Sequence, residues 1–143
     1  MKSRPQVGFW LETESHVACE LAALLGFELV ILDMEHGSIS SCSAERLVLL
    51  SKLLGLTVFV RLVAADRSPI QQALDWGADG VIIPQIENAE HARILCNYAK
   101  YPPLGTRGVG NNRPGHYGTR GSEFYDAENR LKYCFPMVET PGA

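Results

Sequence analysis

Five short apolar runs, separated by segments with helical spacing, most constrain what this chain can fold into. They are Val7-Gly8-Phe9-Trp10-Leu11, Leu29-Val30-Ile31-Leu32, Val58-Phe59-Val60, Val81-Ile82-Ile83 and residues 133–138. Runs this short and this continuous read as strands, and Leu29-Val30-Ile31-Leu32 as one buried on both faces. The first helix is expected after Ser15 as cap, with Ala18, Leu21, Ala22 and Leu25 on one face and Gly26 as its terminator. Ser43 is expected to cap a second helix over 44–54, ended by Gly55. A third spans about 69–76, with Pro69 at its start and Gly77 at its end. Asn88 caps a fourth, to about 99, and a short fifth covers about 123–131. Residues 101–121 form a long loop rich in Gly, Pro and Arg. Strand and helix alternate throughout, which implies an α/β fold with a parallel sheet and helical crossovers. No linker or repeat divides the chain, so residues 1–143 read as a single domain.

Composition excludes several roles. Thirteen Lys and Arg against sixteen Asp and Glu leave a net charge of −3, without the basic face that a nucleic-acid binder needs. No apolar run approaches the ~18–20 residues that span a bilayer. Met1-Lys2-Ser3-Arg4-Pro5 carries charge but no apolar stretch behind it, so no secretory leader is expected and the location reads as cytoplasmic. The cysteines, Cys19, Cys42, Cys96 and Cys134, form no CxxC pair and match no zinc spacing. They read as free thiols of a reduced compartment rather than a disulfide framework.

Polar residues collect where the strands end. Asp33, Glu35 and His36 follow the second, Arg61 the third, Pro84-Gln85 the fourth and Glu139 the fifth. In a β/α barrel those ends converge on the mouth that holds the active site. Histidine moves protons near neutral pH. An arginine fork holds a carboxylate or a developing enolate oxygen. Carboxylates bind Mg²⁺ or Mn²⁺. The set fits enolisation of a 2-oxo acid on a divalent cation; the bland alternative is a group of ion pairs that holds loops together.

Several stretches carry a family likeness: Pro5-Gln6-Val7-Gly8-Phe9-Trp10, Leu32-Asp33-Met34-Glu35-His36, Val60-Arg61, Ala73-Leu74-Asp75-Trp76-Gly77-Ala78, Ile83-Pro84-Gln85, Tyr101-Pro102-Pro103-Leu104-Gly105-Thr106-Arg107-Gly108-Val109-Gly110 and Val138-Glu139-Thr140. With them the chain resembles the HpcH/HpaI aldolases, class II pyruvate-dependent enzymes related to the citrate lyase β subunit. The resemblance implies a (β/α)₈ TIM-type barrel, of which about the N-terminal five units are present. It implies metal-dependent retro-aldol cleavage of 4-hydroxy-2-oxo acids to pyruvate, or a close relative, and an aldehyde. By the same resemblance His36 is the base, and Arg61 binds the oxo acid and stabilises the enolate. Glu139 is a ligand of the metal, Mg²⁺ or Mn²⁺ with Co²⁺ as a further candidate. Asp75 partners the histidine across a subunit interface of a homo-oligomer, Asp33 supports the site, and Trp10 lines the mouth.

Two departures from the family pattern stand out. Met137 occupies the place of a frequent Gln two residues before the metal-binding Glu. The chain also stops at Ala143, whereas an eight-unit barrel takes at least about 200 residues. The family's second metal carboxylate and its Gly-Pro carboxylate-binding segment would lie beyond that point. An open five-stranded sheet is expected to leave unpaired edges and exposed apolar faces. A fragment of a longer protein, a shortened gene and mutual covering by associated chains are the three explanations. The rival functions are a citrate-synthase-like or citryl-CoA-lyase-like enzyme and a non-catalytic remnant or oligomerising subunit.

The remaining features read as ordinary. The Gly- and Arg-rich loop lacks the pattern of a phosphate cradle. Arg107 and Arg113 are balanced between meeting an acidic substrate tail and lying on the surface. His16 and His91 read as helix-surface residues, His116 as a loop residue, and Glu87 and Glu90 as charges at a helix start. Cys42 shows no sign of activation and stays outside the site.

Overall fold

The computed structural model describes residues 5–143; residues 1–4, on which the reading of no secretory leader rests, lie outside the described residues. Five strands, β1 (Gly8–Leu11), β2 (Leu29–Asp33), β3 (Thr57–Arg61), β4 (Gly80–Ile83) and β5 (Tyr133–Pro136), pair in chain order and all in parallel. Helices α1 (His16–Leu24), α2 (Ser41–Leu53), α3 (Arg67–Trp76) and α4 (Ala89–Tyr98) cross between successive strands, and α5 (Glu123–Leu131) leads into β5. Sequential parallel pairing with a helix in each crossover is the arrangement of consecutive units of a TIM-type barrel.

Alternation along the strands separates two faces. Val30, Leu32, Val58, Val60, Val81 and Ile83 are buried among Ala44, Leu47 and Val48 of α2, Ile70 and Leu74 of α3 and Leu95 of α4. The opposite face carries Trp10, Ile31, Phe59, Ile82, Tyr133 and Phe135, which are exposed or half-buried. Phe59, Tyr133 and Phe135 form an aromatic cluster there with centroids 5.2–6.0 Å apart. The strands are thus buried on one face only, because the helices cover just one. Among the described residues the unpaired edges expected from five strands are β1 and β5.

Helix ends follow local chemistry, with one correction. Ser15 Oγ accepts from Ala18 N, and Asn88 Oδ1 accepts from His91 N. Gly26, Gly55 and Gly77 all have positive φ, and Gly77 closes α3 in the left-handed region. The cap of α2 is Ser40, not Ser43: Ser40 Oγ accepts from Ser43 N, and Glu14 Oε1 accepts from both the amide and the hydroxyl of Ser40. Leu21 and Leu25 are exposed, since α1 covers the edge strand and has a neighbour, α2, on one side only. No helix among the described residues is long and apolar enough to cross a membrane.

Candidate active site at the strand ends

Asp33 and Arg61 end adjacent strands and are register partners, so the pleat sends both side chains to the same face. Asp33 is fully buried. Its Oδ1 accepts from Arg61 Nε at 2.9 Å and from the amides of Glu35 and His36 at 3.0 and 3.1 Å. Its Oδ2 accepts from Arg61 Nη2. This fork-to-fork pair fixes the guanidinium and folds the chain after β2 into a turn that presents His36. Burial pushes the Asp33 carboxyl up, but the Arg61 hydrogen bonds and the two amides outweigh it and hold it below its ordinary value. Arg61 is correspondingly raised, first by its hydrogen bond to Asp33, with burial opposing and the charges of Asp33, Glu35 and Glu139 adding.

The rest of the mouth assembles around that pair. The Arg61 guanidinium carbon lies 4.8 Å from the centre of the Trp10 ring, a cation–π distance. Arg61 Nη1 is 3.4 Å from Glu35 Oε2, and His36 Nε2 is 3.9 Å from the same oxygen. The His36 side chain is 69% exposed. Gln85 links the fourth strand to the fifth: its amide donates to Glu139 Oε1 at 2.6 Å, and its side-chain amide donates to Glu35 Oε1 at 3.3 Å. Its φ of 56° is a left-handed conformation in a non-glycine residue, a strain that clusters at functional sites. Glu35 and Gln85 were legible as polar residues after strands, but their joint role in tying Glu139 to Arg61 depends on three-dimensional contact.

Gly37 holds the turn in place. A Cβ there would meet the Asp33 carbonyl and lie 2.9 Å from Glu12 Cα, and the next amide, Ser38 N, donates to Glu12 O at 2.7 Å. Gly37→Ala is therefore expected to lower stability by about 1–3 kcal/mol, measured by urea unfolding. A change within about 0.3 kcal/mol would show that the turn gives way freely.

Asp75 does not join this group within one chain. It sits on α3, where its Oδ1 accepts from Arg107 Nη2 at 2.6 Å and from Asn112 Nδ2 at 2.7 Å. It lines an open groove of about 590 Å³ together with Glu45, Gln71, Trp76 and Tyr117. Arg107 does not lie on the surface. It is 2% exposed, stacked 4.5 Å from the Tyr101 ring centre, and its Nη1 lies 3.8 Å from Glu128. Arg113 is half-buried against Glu45 at 3.4 Å. His16 and His116 are exposed, and His91 is half-buried with its Nδ1 accepting from Glu87 N.

Among the described residues no three His, Cys, Asp or Glu side chains gather into a metal cluster. The oxygen donors at the mouth are Glu139 and Glu35, both anchored on Gln85. Among the described residues Glu35 Oε2 is buried without a hydrogen-bond partner. Such carboxylates suit Mg²⁺ or Mn²⁺, which take one or two carboxylates and complete their shell with water and substrate.

Comparison with known proteins shows the family. The family model described as HpcH/HpaI aldolase/citrate lyase matches residues 6–140. The chain belongs to that family. The HpcH/HpaI chain is 33% identical over 138 residues to 2-dehydro-3,6-dideoxy-6-sulfogluconate aldolase of Pseudomonas putida, covering 96% of this chain and 54% of the relative. It is 30% identical over 132 residues to 4-hydroxy-2-oxovalerate aldolase of Rhodococcus jostii, covering 91% and 51%. A crystal structure of an HpcH/HpaI aldolase/citrate lyase family protein from Burkholderia cenocepacia superposes with a TM-score of 0.87 at 28% identity, over 96% of this chain and 56% of that one. This HpcH/HpaI chain thus spans about half the length of the curated relatives it matches. Its five-stranded parallel sheet is part of the TIM-barrel fold of its structural neighbours.

Proposed function

We propose that this chain carries the 2-oxo-acid side of a divalent-metal-dependent aldolase site that cleaves 4-hydroxy-2-oxo acids to pyruvate, or a close relative, and an aldehyde. The observation that carries this reading is Arg61, locked by buried Asp33 on two nitrogens, with Nη1 3.4 Å from Glu35, the guanidinium carbon 4.8 Å from the centre of the Trp10 ring, and Glu139 linked to Glu35 through Gln85. A guanidinium fixed this way is preorganised to meet the substrate's carboxylate or 2-oxo oxygen and the negative charge that grows there. Held in that pose, the substrate loses its 4-hydroxyl proton to His36, whose exposed imidazole reaches it directly or through water. The C3–C4 bond then breaks, the aldehyde leaves, and the electron pair rests in the enolate beside Arg61. Protonation at C3 completes pyruvate. A divalent ion held by Glu139, with Glu35 nearby, would supply Lewis-acid polarisation of the 2-oxo group.

The reading gives Asp75 a place only in a homo-oligomer, where the open groove on α3 would bring it to His36 of a second copy. The substrate is a small 2-oxo acid.

The direct test is release of pyruvate from 4-hydroxy-2-oxovalerate with Mg²⁺, run beside oxaloacetate with acyl-CoA. Turnover of the hydroxy-oxo acid supports the aldolase; turnover of the second pair alone overturns it. The metal part is tested by calorimetric titration with Mg²⁺. Weak, saturable binding is expected, because the protein offers few carboxylates, and Glu139→Gln is expected to abolish it. Unchanged binding in that variant would remove Glu139 from the metal.

A further inference from the structure

Away from the mouth, two thiols meet. Cys96 on α4 and Cys134 on β5 are 38 residues apart in sequence, yet their Sγ atoms are 3.2 Å apart. Both residues are half-buried and both are free thiols. Lys100, one helical turn beyond Cys96, is held beside them by donating from Nζ to the carbonyls of Asn129 at 2.6 Å and Lys132 at 2.8 Å. These contacts run from just beyond the end of α4 to α5 and to the residue just before β5, so the ammonium is fixed at the junction that brings the two cysteines together.

We propose that Cys96 and Cys134 form an oxidant-responsive dithiol that a hydroperoxide converts to a disulfide, tying α4 to the edge strand β5. The chemistry divides between the two sulfurs. The two Sγ atoms share one hydrogen bond, and that contact, with burial opposing and the Lys100 charge adding, pulls the Cys96 thiol down to about 7. The same hydrogen bond, followed by burial and the Cys96 charge, pushes Cys134 up. Cys96, one helical turn from the anchored Lys100 ammonium, serves as the attacking thiolate and Cys134, on the strand, as the resolving thiol. In the first step Cys96 Sγ attacks one peroxide oxygen. The O–O bond breaks, an alcohol or water leaves with a proton, and Cys96 becomes a sulfenic acid. In the second step Cys134 Sγ attacks Cys96 Sγ. The S–S bond forms, the S–O bond breaks, and hydroxide leaves as water with the Cys134 proton. Two thiols have lost two electrons and one peroxide has gained them.

The location gives the bond a structural consequence. β5 is bonded to a single neighbour, β4, and runs on through Met137, whose amide donates to Ile83 O at 2.8 Å, to Glu139 at the mouth. A covalent tie to α4 would fasten that strand from its helix-covered face. Cys19, which is buried, and Cys42, which is exposed, have no thiol partner shown and serve as internal references.

The test treats the reduced 143-residue chain with a few equivalents of hydrogen peroxide at pH 7.5, then blocks residual thiols with N-ethylmaleimide. Peptide mass analysis is expected to find the Cys96 and Cys134 peptides joined, about 2 Da lighter than their sum, while Cys19 and Cys42 carry the maleimide. In Cys134→Ser the reaction is expected to halt at the Cys96 sulfenic acid, trapped by dimedone. In guanidinium the same treatment is expected to scramble the pairing. Recovery of both Cys96 and Cys134 as maleimide adducts while Cys42 is oxidised, or trapping of the sulfenic acid on Cys134 in Cys96→Ser at an equal rate, would overturn the proposal.

Discussion

Arg61→Ala is expected to lose enolisation by about 10²–10³-fold and to destabilise the fold by about 3–5 kcal/mol. The second loss arises at Asp33, which is fully buried and, among the described residues, loses its ion-pair partner and keeps two backbone amides. Removing one member of a buried pair strands the other charge in a poor solvent. Replacing both members separates stability from chemistry. Asp33→Asn with Arg61→Met is expected to regain most of the stability, because neither residue then buries a charge, yet to remain inactive. Urea unfolding and an enolisation assay on the same samples distinguish the two effects. Equal stability of Arg61→Ala and the parent chain would show that the Asp33 charge is solvated in a way its burial contradicts.

The same pair sets a pH dependence. The folded-state pKa of Asp33 lies below its ordinary value of 3.8. The stabilisation is therefore fully present above that value and is lost as the pH falls through the folded-state pKa. Acid unfolding of the parent chain is expected to include this loss, and the double variant is expected to lack it.

His36→Ala is the other large effect, and it has the opposite profile. The side chain is 69% exposed, and among the described residues the turn is held through the backbone amide on Asp33 rather than by a hydrogen bond of the ring. Stability is expected to change by less than about 0.5 kcal/mol, while retro-aldol turnover falls by about 10²–10⁴-fold, the usual worth of a positioned general base. Unaltered turnover in an active preparation would remove His36 from the base role. Exchange at C3 of pyruvate, which does not involve the 4-hydroxyl, is expected to suffer less than cleavage.

Strand positions and the polar residues that follow them were legible because a continuous apolar run and the residue after it are local facts. Asp33, Arg61 and Trp10 do meet, and register explains why: β1, β2 and β3 are aligned so that residues 10, 31 and 59 share one row and Asp33 faces Arg61. What sequence could not supply was contact across distance. The run Ser38-Ile39-Ser40-Ser41-Cys42-Ser43 offers several capping serines, and Glu14, from the loop before α1, selects Ser40. Arg107 reads as a surface or substrate-facing residue until the long loop is seen to fold back under Asp75 and Tyr101. Glu35 and Gln85 acquire their role only when the fourth and fifth strands bring Glu139 alongside. The proximity of Cys96 and Cys134 has the same origin: 38 residues of loop and helix separate two thiols that the sheet edge brings together.

The proposed cleavage ends with protonation of an enolate held beside Arg61, and the reverse of that step, enolisation of pyruvate, can be observed without knowing the aldehyde. Deuterium exchange at C3 of pyruvate, followed by proton NMR in heavy water with Mg²⁺ and the 143-residue chain, measures it directly. The expected result is exchange above the metal-only background, lost on chelation and absent in the folded Asp33→Asn, Arg61→Met double variant. No exchange from a folded sample of the parent chain, or exchange that survives in the double variant, would contradict the assignment of this site to 2-oxo-acid enolisation.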